Sequence, residues 1–249
     1  MLSIDPQLLL IILATFLLAG LVKGVTGLGL PTVCLAILTL VLDLPSAMAL
    51  LLVPSLLTNL QQAFSGGAFR TLLARLWPFL LAAVAMVGLG ARALVSVELT
   101  LLSALLGLVL VCYGLLSLAG LKLQISPQRE RASGIGLGLI NGLLTGMTGS
   151  FVVPGVLYLQ AIGLPRDQLV QAMGLLFSVS TLALGLALGG QQLLSPELGL
   201  LSLIGVVPAL GGMWLGQRLR RRMAEAMFRR VLFFALILLG GYLVAGSLN

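Results

Sequence analysis

The sequence Gly20-Leu21-Val22-Lys23-Gly24-Val25-Thr26-Gly27 interrupts the long apolar segment of residues 7–42 near its middle. A related sequence, Gly142-Leu143-Leu144-Thr145-Gly146-Met147-Thr148-Gly149, interrupts a second long apolar segment, residues 132–163, and shares Gly, Leu, Gly, Thr and Gly with the first in register. Each is followed by a proline, an apolar stretch and a Leu-Pro pair, and then by three uninterrupted apolar segments. This pattern indicates an internal duplication, with one repeat over about residues 1–121 and the other over about residues 132–249.

The composition places both repeats in a lipid bilayer. Of 249 residues, 59% are hydrophobic and 8% are charged, and such a chain cannot cover a water-exposed surface with polar groups. Since a membrane-spanning helix takes about 20 apolar residues, the chain has room for roughly 8–10 membrane segments and little else. We therefore predict an all-α polytopic membrane protein whose residues 1–249 form a single transport domain.

Basic residues predict how the segments cross the membrane. If each interrupted segment folds back as a hairpin, nearly all basic residues fall on one side, whereas a single crossing scatters them over both sides. Cytoplasmic loops are enriched in Lys and Arg, so the hairpin topology is favoured. Each half then has an odd number of crossings, which predicts an inverted repeat with both chain ends on the non-cytoplasmic side of the cell (inner or plasma) membrane. Whether the hairpin arms are re-entrant or fully spanning is left open by this count. The residues predicted to be cytoplasmic are Arg70, Arg75, Lys122, Arg129, Arg131, Arg166, Arg218, Arg220, Arg221, Arg222, Arg229 and Arg230.

Lys23 is the sharpest functional signal, because it lies well inside an apolar segment. A cation at that depth costs about 2.5–3.5 kcal/mol on insertion scales and has an anion as its natural partner. The alternative is a lysine that extends its ammonium group to the lipid headgroups.

The glycines beside Lys23 offer a second reason for an anion. They let the chain turn and let a ligand approach the main chain, and the helix that begins after such a break directs unpaired N–H groups inward. The second break would supply a matching set in the same pocket, near the membrane midplane. The alternative is close helix packing through small residues. From the two breaks the predicted substrate-binding residues are Lys23, Gly24, Thr26, Gly27, Gly29, Gly146, Thr148, Gly149 and Ser150.

Polar residues form a stripe on the helix after the first break. Ser55, Thr58, Asn59 and Gln62 share one helical face, and Gln171, Ser178 and Thr181 form a thinner stripe in the second half. Such stripes either line a wet pathway or join helices by hydrogen bonds. From this region and the flanks of the second break, Asn59, Asn141 and Tyr158 are added to the predicted substrate-binding residues.

Other classes of function lack the residues they need. The net charge of +7 comes from short basic gaps between apolar segments, so we expect no nucleic-acid partner. The two cysteines have no metal-ligand spacing and the chain has no histidine, so we predict no metal and no cofactor. The acidic residues lie at segment ends and no nucleophile stands beside a base, so we predict no catalytic residues and no enzyme activity.

At the two breaks the sequence resembles the TauE/SafE family of sulfite exporter-like permeases. The first motif is Gly20-x-x-Lys23-Gly24-x-x-Gly27-x-Gly29; the second is Gly142, Gly146 and Gly149, followed by Pro154 and Tyr158. The family commonly has a double proline at the second motif, whereas this chain has Pro154 alone. The resemblance implies a permease that exports small sulfur-containing anions such as sulfite or organosulfonates.

We therefore expect a small anionic substrate, a lipid bilayer around the protein, and alternating access by rocking of the two halves. A carrier of another small organic anion, and a scaffold or assembly protein that transports nothing, remain alternatives. The pattern specifies no oligomeric state.

Overall fold

The structure, a computed structural model, describes residues 5–120, 123–220 and 225–247. Within these ranges the chain folds into ten helices joined by short connections. Lys122, Arg221 and Arg222, which the topology prediction used, lie outside the described residues. The helices are α1 (Pro6–Thr26), α2 (Leu30–Leu38), α3 (Leu44–Phe64), α4 (Phe69–Ser96), α5 (Leu99–Ala119), α6 (Pro127–Thr148), α7 (Gly155–Ala161), α8 (Arg166–Gly190), α9 (Pro196–Arg220) and α10 (Glu225–Gly246).

Seven of the described helices are long and apolar enough to cross a membrane, namely α1, α3, α4, α5, α8, α9 and α10. Large apolar side chains cover their outer surfaces, with Leu186 80% exposed, Val207 76% and Leu238 74%. Because water would penalise such a surface, these side chains fit a hydrocarbon environment. The prediction of a polytopic all-helical membrane protein is confirmed.

The order of helices repeats. A long helix, a short helix and three long helices make up α1 to α5, and the same order recurs in α6 to α10. Gly27 and Gly149, both with positive φ, end the two opening helices. After Gly27 the chain folds back, because Val33 and Ile37 of α2 lie with Val22 and Leu18 of α1. In the second half α7 returns along α6 in the same way, with Gly155 at Asn141 and Tyr158 at Gly134. Each half therefore opens with a broken-helix hairpin, as predicted, in which the first arm is long and the second short.

The two halves are inverted relative to each other. Helices α3 and α8 hold corresponding places in the repeats and run antiparallel, since Gly174 packs on the backbone at Gln62 and Gly185 packs on Leu52. Their side chains meet at Asn59 and Thr181, which stand equally far along the chain from Gly20 and Gly142. An approximate twofold axis therefore passes between Asn59 and Thr181, as an inverted repeat requires.

Glycines allow the hairpins to pack closely on the opposite halves. A methyl group at Gly20 would collide with the carbonyl oxygen of Ala209 in α9, and one at Gly142 would collide with the carbonyl oxygen of Ala83 in α4. Helix α1 runs parallel to α9, and α6 runs parallel to α4. The small-residue packing considered for these glycines is present in both halves.

All helix directions together define two faces of the molecule. One face, called the arginine face below, carries the C-terminal ends of α1, α3, α5 and α9 and the N-terminal ends of α4, α6, α8 and α10. The opposite face carries both described chain ends, together with Asp43, Arg92 and Glu98. The described arginines on the arginine face are Arg70, Arg75, Arg129, Arg131, Arg166, Arg218, Arg220, Arg229 and Arg230.

Candidate functional site

Lys23 is buried beside the twofold axis. Its side chain is 3% exposed, and its ammonium group donates to Oγ1 of Thr58 at 3.1 Å and to Oδ1 of Asn59. Both partners are neutral, and no acidic side chain forms an ion pair with Lys23 in the described part of the chain. The side chain thus reaches inward to α3 rather than outward to lipid headgroups. Its position in the last turn of α1 adds partial negative charge from backbone carbonyls, but a full counter-charge is missing.

A cavity of about 120 Å³ adjoins Lys23. Its inner end is formed by the buried Lys23 and Thr58, and its mouth by the exposed Gln61, Ser65 and Gln217 at the arginine face. None of its lining residues is acidic, and two of them, Lys23 and Arg220, are basic. The lining residues are Lys23, Gly24, Gly27, Thr58, Gln61, Gln62, Ser65, Val170, Met213, Gln217 and Arg220.

Gln62 fastens the first break to both halves. Its Nε2 donates to the carbonyl oxygens of Gly27 and Val170, each at 2.8 Å. Directly beside this contact, Gln171 of α8 donates to the carbonyl of Ala63 at 2.8 Å. The polar stripes therefore join helices here, whereas at Thr58 and Asn59 they face Lys23. Gln62 belonged to the predicted stripe but not to the predicted site, and a glutamine inside an apolar segment was the available signal.

Thr26 and Thr148 make corresponding hydrogen bonds in the two breaks. The hydroxyl of Thr26 donates to the carbonyl of Val22 at 2.9 Å and accepts from the backbone N–H of Leu28 at 3.3 Å. Thr148 bonds to Leu144 and Ser150 in the same way, at 2.7 and 3.2 Å. These hydroxyls satisfy backbone groups at the helix ends and so stabilise the turns.

The two glycine breaks do not meet in one pocket. Gly27 lies at the level of Gln62, whereas Gly149 packs on Met48 at the other end of α3. Almost four helical turns separate these levels, about 20 Å at about 1.5 Å per residue. The expectation of a shared pocket is therefore corrected. In each half the first arm of the hairpin extends beyond the twofold axis before the chain reverses. Because the halves are inverted, the two breaks therefore lie on opposite sides of the axis.

The remaining predicted residues, apart from Gly29 and Tyr158, lie around the second break or in α6. Gly146 packs on the backbone at Val87, and Asn141 accepts the N–H of Gly155 at 2.9 Å, which holds the start of α7. Ser150 is buried, and no described group bonds its hydroxyl. Gly29, with a φ of 107°, begins α2 and contacts Val22.

Tyr158 lies in a different place, at the arginine end of α4 and α6. Its hydroxyl donates to the carbonyl of Glu130 at 3.3 Å and it lines a separate cavity. The structure therefore brings together Lys23, Gly24, Gly27 and Asn59 from the predicted set, and leaves the α6–α7 residues outside this group.

The buried positive charge occurs in the first half of the repeat and not at the corresponding position of the second. By the motif alignment Thr145 stands where Lys23 does, Thr181 where Asn59 does, and Leu184 where Gln62 does. Thr145 donates to the carbonyl of Ser150 at 3.1 Å, so a neutral hydroxyl bonded within its own break stands here in place of a cation. The inverted scaffold therefore carries one positive centre, next to its axis.

Paired broken helices, an inverted repeat and a buried cation beside a cavity are features of a membrane transporter. A sequence model of the family described as Sulfite exporter TauE/SafE matches residues 12–243. The chain therefore belongs to the TauE/SafE family, a family of membrane permeases, which confirms the resemblance seen at the glycine motifs. No curated protein and no solved structure gives a significant match.

Proposed function

We propose that this protein exports small sulfur-containing anions, sulfite or short organosulfonates, and binds them in the cavity beside Lys23. The observation that carries the proposal is the buried ammonium group, whose two hydrogen-bond partners are neutral. An ammonium has three donors, and a third remains for a ligand. An anion in the cavity would supply both the missing counter-charge and the third acceptor.

The size of the cavity supports a small oxyanion. A volume of about 120 Å³ corresponds to about four water molecules at about 30 Å³ each. Sulfite, with one sulfur and three oxygens, has as many non-hydrogen atoms as four water molecules and fits within this volume. A short organic substituent on a sulfonate would extend towards the mouth, where Gln61, Ser65 and Gln217 offer polar contacts.

Alternating access is the mechanism that fits an inverted repeat. In the present conformation the cavity opens at the arginine face. At the axis and beyond it, the hydroxyls of Ser180, Ser55 and Ser150 are buried, and none has a hydrogen-bond partner among the described residues. Buried polar groups without partners call for an explanation. We assign them to the other half of the path, where they would contact the anion once the halves have rocked.

A ligand-dependent thermal shift on the purified protein tests this function. Sulfite and methanesulfonate should raise the melting temperature of the wild type, and Lys23→Gln should weaken the apparent affinity about tenfold or more, since hydrogen bonds to charged groups contribute about 1.5–3 kcal/mol. Arg218→Gln is the matched control, because Arg218 lies on the same face but stacks on Trp214.

Three results would reject the proposal. A protein that serves only as a scaffold would show no shift with any anion. Equal affinity of the wild type and Lys23→Gln would remove Lys23 from the site. Stabilisation by small carboxylates but not by sulfur oxyanions would favour a carrier of other organic anions.

A further inference from the structure

A second and larger cavity, of about 320 Å³, lies between α4 and α6 at the arginine face. Its walls include Arg75, Trp77, Glu130, Arg131 and Tyr158, none of which lines the Lys23 cavity. The cavity lies between two packed helices of a membrane protein, at the level where basic residues collect. A ligand here would be neither on the proposed export path nor in open water.

Of the two guanidinium groups in this cavity, only one is paired with a carboxylate in the described part of the chain. Arg75 donates two hydrogen bonds to the carboxylate of Glu130, at 2.7 and 2.8 Å, so these two side chains neutralise each other. The guanidinium of Arg131 lies 5.5 Å from the ring centre of Trp77, and no described carboxylate forms an ion pair with it. The cavity therefore carries one net positive charge on a side chain already oriented by an aromatic ring.

An exposed apolar stripe leads from the cavity into the membrane. Trp77, Leu81, Ala85 and Leu89 follow one another at intervals of four residues, and all are exposed. That interval keeps side chains on one face of a helix. Because α4 begins at the arginine face, the stripe runs from the cavity towards the bilayer centre. Trp77 lies at its start, where tryptophans typically meet the lipid interface.

We propose that this cavity binds the headgroup of an anionic phospholipid. The phosphate meets the guanidinium of Arg131, the polar headgroup occupies the cavity beside Tyr158, and an acyl chain lies along Leu81 and Leu89. Basic pockets between membrane helices are suited to such headgroups. The site is independent of the proposed transport function.

The test uses the full-length protein in a neutral detergent, with native mass spectrometry and thermal unfolding as readouts. Phosphatidylglycerol, phosphatidylcholine with the same acyl chains, and glycerol 3-phosphate are added separately. We expect phosphatidylglycerol to bind about tenfold more tightly than phosphatidylcholine, and glycerol 3-phosphate to bind far more weakly than either. Arg131→Gln should remove the preference for phosphatidylglycerol. Arg129→Gln should keep it, because Arg129 is an exposed residue of the same helix outside the cavity.

Each other outcome overturns the proposal. Equal binding of the two lipids to the wild type would exclude a site that selects a negatively charged headgroup. This comparison uses the wild type alone. An equal loss in both arginine variants would indicate general attraction to the face rather than this cavity. Binding of glycerol 3-phosphate as tight as that of the lipid would indicate a site for a soluble phosphate.

Discussion

At the scale of single residues, Lys23 and Asn59 carry the functional argument. The amide oxygen of Asn59 accepts from the ammonium group, and its Nδ2 lies 3.4 Å from Oγ1 of Thr181 across the twofold axis. A neutral amide at this place stabilises the cation without cancelling its charge. A carboxylate would cancel it, and so the choice of Asn over Asp keeps the cavity positive.

Asn59→Asp should therefore weaken anion binding without lowering the stability of the protein. The new carboxylate would pair with Lys23, so we expect an unchanged or higher melting temperature and an affinity for sulfite at least about tenfold weaker. Titration of sulfite followed by thermal unfolding measures both quantities. Gln128→Glu adds the same charge at an exposed position of the arginine face and should leave the affinity within about twofold. Unweakened sulfite binding by Asn59→Asp would show that the anion does not bind at Lys23.

At the scale of helices, the hairpins depend on contacts that admit no side chain. Gly142 lies directly on the carbonyl of Ala83, whereas a methyl group at Gly136, in the same helix, would meet nothing. Both glycines are helical, so both gain helix propensity when changed to alanine, by about 1 kcal/mol. The difference in stability between the two alanine variants therefore measures the packing of α6 on α4.

Gly142→Ala should lower the stability by about 1–3 kcal/mol, the usual cost of overpacking, because α6 must move away from α4. Gly136→Ala should be neutral or slightly stabilising. Thermal unfolding of the two variants in the same detergent gives the comparison. If both variants unfold at the same temperature, the close approach of α6 and α4 is wrong.

Gln62 fastens the tip of the first hairpin, and its loss should be costly. Gln62→Leu places here the residue that the second half has at Leu184, but leaves the carbonyls of Gly27 and Val170 without their donor. An unsatisfied buried group costs about 1–3 kcal/mol, so we expect a clear fall in melting temperature. Gln61→Leu, at the exposed neighbouring position, should change it little. Equal effects in the two variants would mean that the tip is not held by Gln62.

The helices were predictable from the sequence, whereas the depth of the breaks was not. Apolar length, the paired glycine motifs and the distribution of basic residues predicted hairpins and inversion, whereas for the stripe at Thr58 and Asn59 a wet pathway and hydrogen bonds between helices were both open. The side of the axis on which each break lies depends on how far α1 and α6 extend past their partners, and that is set by packing. For the same reason a threonine that caps its own helix, such as Thr26, looks like a ligand-facing threonine in sequence.

At the scale of the whole molecule, the charges divide between two faces. The described arginines other than Arg92 lie on the arginine face, and both described chain ends lie on the opposite face. Because Lys and Arg are retained in cytoplasmic loops, we infer that the arginine face is cytoplasmic. With this orientation the Lys23 cavity opens to the cytoplasm, which is where the proposed export would load its anion.

This orientation predicts where the chain ends lie in the cell. A tag at either terminus should react with an impermeant reagent in intact cells, or in spheroplasts if an outer membrane is present. A single cysteine in the 65–68 connection of a cysteine-free variant should react only after the membrane is permeabilised. A terminal tag that is protected until permeabilisation would reverse or break the proposed topology.

The most direct test of the central claim is uptake of radiolabelled sulfite into liposomes that contain the purified protein. We predict that the wild type exchanges external labelled sulfite for internal sulfite, that Arg218→Gln does so at a similar rate, and that Lys23→Gln at equal protein content is at least about tenfold slower. Exchange by Lys23→Gln at the wild-type rate, or no exchange by the wild type, would contradict a sulfite path through the buried ammonium group.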